Sequence, residues 1–185
     1  MGHDLASGGA SAAGIAACRA TRRTGGRLAD IVPAIDRILD EWFTDRLMTA
    51  VIADLDVTDG TLTWINCAHP PPLLLRDGQV LHALQREPDL PLDWNFHSRT
   101  PPTTHRARLQ PGDRILPYSD GVTEARSPEG DLFGEQCLTD TVIRATAADE
   151  PAPEALRHQE HELSDDATIV MAEWHPTPGP SVPAT

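Results

Sequence analysis

The chain has 185 residues, a length that suits one compact domain. Its formal net charge of −13, from 15 basic and 28 acidic residues, argues against nucleic acid or an anionic membrane surface as the main partner. No stretch approaches the roughly 20 apolar residues of a membrane span, and the N-terminus lacks a basic region followed by an apolar run, so we expect a cytoplasmic protein.

Two helices are predicted in the first quarter of the chain. Residues 5–20 are rich in alanine, although three glycines interrupt them. Over 28–43 apolar residues recur with a 3.6-residue period, which predicts an amphipathic helix. Pro33 lies in the first turns of this helix, where a missing N–H is tolerated. Both helices are expected to pack on a sheet.

Antiparallel hairpins and further helices follow. Strands over 48–56 and 61–67 flank the turn signal Thr58-Asp59-Gly60, and a second pair of strands flanks Asp77-Gly78. The proline-rich residues 85–104 lack periodicity, which predicts a long surface loop. The other predicted elements are strands over 73–75, 80–84, 104–109, 114–119 and 167–171, helices over 135–147 and 153–163, and a disordered tail over 175–185. This order of elements is typical of an α+β fold.

Two acidic motifs stand at the ends of predicted strands. Asp120 follows the apolar strand over 114–119, and Gly121 is expected to let the backbone bend just beyond the carboxylate. Asp165 and Asp166 come directly before the β-branched run at 167–171. Carboxylates at element ends suit Mg²⁺ or Mn²⁺, whereas each motif by itself is also typical of a solvated turn.

Three cysteines are widely spaced along the chain. Cys18, Cys67 and Cys137 form no zinc or disulfide pattern. Each lies within an apolar pattern, so we expect small buried side chains in a reducing cytosol.

Four motifs carry a family resemblance: AHPPPLLLRDG (68–78), PGDRILPYSDGVTEAR (111–126), LFGEQCL (132–138) and SDDATIV (164–170). In order and spacing they resemble the bacterial SpoIIE-like branch of the PPM-type, metal-dependent serine/threonine phosphatases. The opening MGHDLASGGASAAG is similar to the metal-loop motif of that family, which an Ala-rich helix follows. The resemblance therefore runs from Met1 to about Trp174.

The resemblance implies a fold and a metal site. The expected fold is an αββα sandwich, two antiparallel sheets covered by helices on both outer faces, as a partial phosphatase domain over 1–174. Asp120 and Asp165 are the implied metal ligands, with Asp165 rather than Asp166 matching the motif, and Mn²⁺ or Mg²⁺ is the implied cofactor. In a complete member, two ions roughly 3.5–4 Å apart activate a bridging water for in-line attack on the phosphate.

The chain also departs from the family pattern. Two further metal-binding aspartates of the family precede the segment that matches Met1, so we expect an N-terminally truncated domain with half of the aspartate set and impaired hydrolysis. The missing strands are expected to leave an exposed sheet edge through which the chain self-associates. Ala68 stands where the family usually has glycine, directly before His69.

The function implied by the resemblance is hydrolysis of phosphoserine or phosphothreonine on a regulatory protein, such as an anti-sigma-factor antagonist. The alternative is a catalytically inactive phosphatase-like module that binds a signalling partner. A phosphoprotein substrate needs local positive charge, either from metal ions or from arginines such as Arg114 and Arg126. His69 is expected to fix a turn, and His3 to lie at a frayed terminus.

Overall fold

A computed structural model describes residues 5–43, 47–93, 96–127, 129–148 and 167–176. Four α-helices lie in this part of the chain: α1 (Leu5–Arg23), α2 (Leu28–Trp42), α3 (Asp120–Thr123) and α4 (Gly134–Ala147). The strands are β1 (Ala50–Asp56), β2 (Thr61–Cys67), β3 (Leu73–Arg76), β4 (Gln79–Ala83), β5 (His105–Arg108), β6 (Arg114–Leu116) and β7 (Ala172–Glu173). A short 3-10 helix covers Phe96–Ser98.

The strands form two antiparallel sheets. Sheet I has the order β1-β2-β5, and sheet II has the order β4-β3-β6-β7. Helices α1 and α2 cover the outer face of sheet I, and α4 covers the outer face of sheet II. A third apolar cluster fills the space between the sheets. The layers are those of the αββα sandwich that the family resemblance implies.

Successive side chains of the central strands β2 and β3 point alternately toward the space between the sheets and toward the covering helices. On β2, Leu62 and Trp64 point between the sheets, while Ile65 packs against the helices. On β3, Leu74 points between the sheets and its neighbour Leu75 packs against α4. Because successive side chains of a strand point to opposite faces, both central strands are apolar on both faces.

Helix α2 carries the 3.6-residue pattern that predicts it. Its buried apolar residues are Leu28, Ile31, Val32, Ile35 and Leu39. Asp36 is also completely buried on this helix, where its carboxylate accepts hydrogen bonds from the backbone N–H groups of Asp93 (2.7 Å) and His97 (2.9 Å). These bonds satisfy a buried charge and attach the connection between β4 and β5 to the helix.

Both hairpins occur where the sequence predicts them. The β1–β2 turn contains Gly60, whose φ of +74° favours glycine. In the β3–β4 turn, Asp77 and Gly78 both have positive φ, at +50° and +73°, as a two-residue type I′ turn requires. Turn chemistry therefore sets both connections locally.

Three predicted elements differ from the structure. The surface loop predicted over 85–104 is wrong in part, because Leu92 is completely buried and pairs with Met48 through two backbone hydrogen bonds. The final strand, predicted over 167–171, is wrong in its bounds: the regular strand is β7, and within 167–171 only Ile169 forms an isolated bridge. Strand β6 ends at Leu116 rather than at 119. The predicted helix over 153–163 and all of the predicted tail beyond 176 lie outside the described residues.

Proline explains why β6 ends early. Beyond β6, Tyr118 and Ile169 still form an isolated bridge in the register of the Ile115–Ala172 pair. Pro117 has no N–H to donate to the ladder, although its carbonyl accepts a bond from Val170. The 167–171 segment therefore follows β6 in the predicted direction with a broken ladder.

The cysteines differ in burial. Cys67 is buried, and this burial raises the pKa of its thiol to about 12. Cys18 and Cys137 are half-buried. All three are free thiols, and the expectation of a buried side chain is wrong for Cys18 and Cys137.

Candidate functional site

Asp120 lies four residues beyond the end of β6, as the first residue of α3. The bend expected at Gly121 takes the form of this single helical turn, in which the Glu124 N–H bonds the Asp120 carbonyl at 2.8 Å. The Asp120 side chain is exposed, and its Oδ1 accepts a bond from the Gly121 N–H at 3.0 Å. Buried Val122 and Ala125 anchor the segment to the core beneath α4. The carboxylate therefore sits in solvent on a fixed backbone.

The chain that follows the second acidic motif runs beside Asp120. The Ser119 N–H bonds the Thr168 carbonyl at 2.9 Å, and the Thr168 N–H bonds Ser119 Oγ at 2.9 Å. Ser119 is one residue before Asp120, and Thr168 is three residues after Asp165. The described residues thus bring the flanks of the two acidic motifs together.

His69 joins the two sheets at this point. Its Nε2 lies 3.1 Å from the Tyr118 carbonyl oxygen, and its Nδ1 lies 3.0 Å from Thr49 Oγ1. Asn66, buried at the end of β2, holds the His69 backbone on both sides: Oδ1 accepts from the His69 N–H and Nδ2 donates to the His69 carbonyl, each at 2.8 Å. The expectation that His69 fixes a turn agrees with these contacts. No sequence pattern indicates the contact of His69 with Tyr118.

The electrostatics keep His69 neutral. Burial lowers the pKa of its imidazole below the ordinary value, while the bond to the Tyr118 carbonyl and the negative charge of Asp120 act in the opposite direction. The lowered pKa leaves the ring uncharged at pH 7.

Sequence patterns missed the residues that surround His69. Thr49 precedes β1, and Asn66 is a buried polar residue in an otherwise apolar strand end. The amide of Asn66 in an apolar strand end is the one sequence signal that could have indicated its bonds to the His69 backbone, because buried amides need hydrogen-bond partners. Ser119 carried no comparable signal, since its role depends on Thr168, 49 residues away.

Asp120 has the chemistry of a ligand for a divalent cation. It offers hard carboxylate oxygens at an exposed position, and none of the ion pairs among the described residues involves it. The described residues contain no group of three or more His, Cys, Asp or Glu side chains that could hold a metal ion. Asp165, Asp166 and His3 lie outside the described residues. Asp120 is therefore the part of the predicted site that fits a metal here.

The two arginines considered for phosphate binding are engaged elsewhere. Arg114 Nε bonds Glu173 Oε2 at 2.6 Å, which closes the β6–β7 pair as an ion pair. Arg126 Nη1 donates to the Gly130 carbonyl at 2.8 Å. Neither contact presents a guanidinium group to Asp120.

Family comparison agrees with the motifs and the fold. The family model described as Stage II sporulation protein E (SpoIIE) matches residues 1–175. The chain belongs to the SpoIIE family. Protein IcfG of Synechocystis is 33% identical over 89 residues, which are 48% of this chain and 13% of that protein. The SpoIIE-family assignment is the resemblance that the four motifs predict.

Solved structures show the same fold. The structure of the RsbU and RsbW domains of a Mycobacterium tuberculosis protein aligns with a TM-score of 0.78 and 24% identity, over 96% of this chain and 52% of that chain. The PP2C phosphatase domain of SpoIIE from Bacillus subtilis, with a fragment of its regulatory domain, aligns with a TM-score of 0.71 and 20% identity, over 92% and 51%. The SpoIIE-family chain thus spans about half of each of these two structures.

A membrane-spanning helix requires a certain length and hydropathy. None of the described helices is long and apolar enough to cross a bilayer.

Proposed function

We propose that this SpoIIE-family chain hydrolyses phosphoserine or phosphothreonine on a regulatory protein with the help of Mn²⁺ or Mg²⁺. The observation that carries the proposal is the pairing of Ser119 with Thr168, because it brings the flanks of the two acidic motifs side by side. Family membership and the PPM-type fold support the same reaction class.

The aspartates have one role each in the proposal. Asp120 holds a divalent ion from the start of α3, and Asp165 holds one from the segment that precedes Thr168. When bound, divalent ions would lower the pKa of a coordinated water and offset the negative charge of the phosphate. Cations are needed because Arg114 and Arg126 are engaged in other contacts and the chain carries a net charge of −13.

The proposed substrate is a phosphorylated signalling protein, such as an anti-sigma-factor antagonist. This class follows from the family resemblance. A protein substrate also agrees with the exposure of Asp120, since a phosphoserine side chain on a folded partner reaches an exposed carboxylate more easily than a buried one.

Three aspartate variants test the metal site. We expect Asp120→Asn and Asp165→Asn to lower Mn²⁺-dependent hydrolysis of a phosphoserine peptide by about 100-fold, because Asn keeps the shape but removes a charged ligand. Asp166→Asn is the matched control, and it should retain most of the activity. Mn²⁺ affinity, measured by calorimetry on the same proteins, should follow the same order. Equal activity and equal affinity in all three variants would contradict the assignment.

The same measurements separate the enzyme from a binding module. A chain that binds the phosphopeptide but shows no Mn²⁺- or Mg²⁺-dependent release of phosphate is a catalytically inactive phosphatase-like module. In that case Asp120→Asn should change peptide binding without any change in turnover. Release of phosphate above the metal-free background supports the enzyme.

A further inference from the structure

One imidazole connects sheet I to the backbone that leads into Asp120. His69 follows β2 of sheet I, and its ring contacts the carbonyl of Tyr118, 49 residues later, beyond β6 of sheet II. On the opposite side, the 168–170 segment holds the same backbone through Pro117 and Ser119. The residues before Asp120 are therefore fixed from two sides.

The hydrogen bonds determine which tautomer His69 adopts. A carbonyl oxygen only accepts, so Nε2 must carry the proton that bonds Tyr118. Nδ1 of a neutral ring is then an acceptor, and the Thr49 hydroxyl donates to it. The Asn66 amide fixes the backbone of His69 at the same time. Ring orientation, tautomer and backbone are all specified.

We propose that His69 is a positioning residue for metal binding, which acts by holding the Tyr118 carbonyl and thereby the start of α3, where Asp120 lies. The inference rests on the proposed function, because it requires Asp120 to be a metal ligand. It goes beyond that function because it assigns a role to a residue that touches neither the metal nor the substrate. The geometry supports the role: the ring bonds the backbone two residues before the carboxylate.

Two polar substitutions separate the contacts of the ring. His69→Gln keeps an amide donor at the reach of Nε2, so it can still bond the Tyr118 carbonyl. His69→Asn is shorter and can replace only the Nδ1 side, toward Thr49. We expect the Asn variant to bind Mn²⁺ about 10-fold more weakly than the parent chain and the Gln variant to bind close to the parent value. Calorimetric titration with Mn²⁺, well below the melting temperature of each variant, measures both.

Several outcomes would overturn the inference. If Asp120→Asn weakens Mn²⁺ binding while both His69 variants bind like the parent, the positioning role fails and the metal assignment stands. If Asp120→Asn leaves Mn²⁺ binding unchanged, the metal assignment fails, and the role of His69 fails with it. The ¹⁵N shifts of the His69 ring in the parent chain test the geometry without any variant, since protonation at Nδ1 instead of Nε2 would contradict it.

Discussion

At the scale of the residue, Ala68 has a backbone conformation that L-amino acids rarely adopt. Its φ is +51°, in the left-handed region, at the point where the chain leaves β2 and turns toward His69. This conformation costs an L-residue roughly 1–2 kcal/mol. The Asn66 side chain brackets the next residue with two hydrogen bonds and thus imposes the turn. The two hydrogen bonds between Asn66 and His69 therefore offset the backbone strain at Ala68.

Glycine at this position should stabilise the fold. Ala68→Gly removes the left-handed penalty but increases the entropy of the unfolded chain, so we expect a net gain of about 0.5–1 kcal/mol in the free energy of unfolding. Ala53→Gly, on the exposed side of β1, is the control and should destabilise the protein. Urea unfolding of both variants measures the difference. A loss of stability in Ala68→Gly would show that the turn carries no strain.

At the scale of the element, Asp113 organises the turn that begins β6. Its side chain is completely buried, and it accepts two bonds from Arg76 at 2.8 Å each and one from the Gln110 N–H at 2.7 Å. The bonds from Arg76 are the main reason that the pKa of Asp113 is lowered. Because Arg76 ends β3, the pair also sets the alignment of β3 with β6.

Removing the Asp113 charge should destabilise the protein in a pH-dependent manner. Asp113→Asn loses the paired bonds with Arg76, and we expect a cost of about 2 kcal/mol at pH 7. A lowered folded-state pKa contributes stability above the ordinary value of about 4, and this contribution disappears as the pH falls through the folded-state pKa. The gap between parent and variant in thermal melts should therefore be full at pH 7 and shrink below about pH 4. A gap that stays constant down to pH 2 would contradict this role.

At the scale of the molecule, Trp174 links the two sheets. It follows β7 of sheet II, and its Nε1 donates to the Val57 carbonyl in the β1–β2 turn of sheet I at 3.1 Å. Its ring lies against Gly60 so closely that a Cβ there would be 2.7 Å from the indole. The side chain is buried among the residues between the sheets. Trp174, which follows the last described strand, therefore connects sheet II to the β1–β2 hairpin of sheet I.

Loss of this link should destabilise the whole domain. We expect Trp174→Ala to cost about 3–5 kcal/mol, because it leaves a cavity between the sheets and removes the hydrogen bond to the Val57 carbonyl. Trp42, at the end of α2, is 71% exposed and is the matched control. Trp42→Ala should change stability by less than about 0.5 kcal/mol. Thermal unfolding followed by circular dichroism compares the two, and similar melting temperatures for both variants would show that Trp174 does not hold the sheets together.

Structural features that depend only on residues close together in the chain are predictable from the sequence alone. The 3.6-residue period of α2 and the turn at Asp77-Gly78 are local properties, and each appears where the pattern predicts it. Short-range signals suffice because helix faces and two-residue turns involve residues only a few positions apart. The motif around Asp120 predicts the bend at Gly121 for the same reason, whereas the strand that it predicts up to residue 119 ends at Leu116.

Contacts between segments that are far apart in the chain appear only in the folded structure. The pairing of the buried Leu92 with Met48 and the bond from His69 to Tyr118 involve partners 44 and 49 residues away along the chain. Nothing in a local pattern shows that Thr168 will lie beside Ser119, or that Trp174 will cover Gly60. Such pairs form only when the two sheets stack, because burial between them, rather than the preference of any single segment, selects the partner of each group.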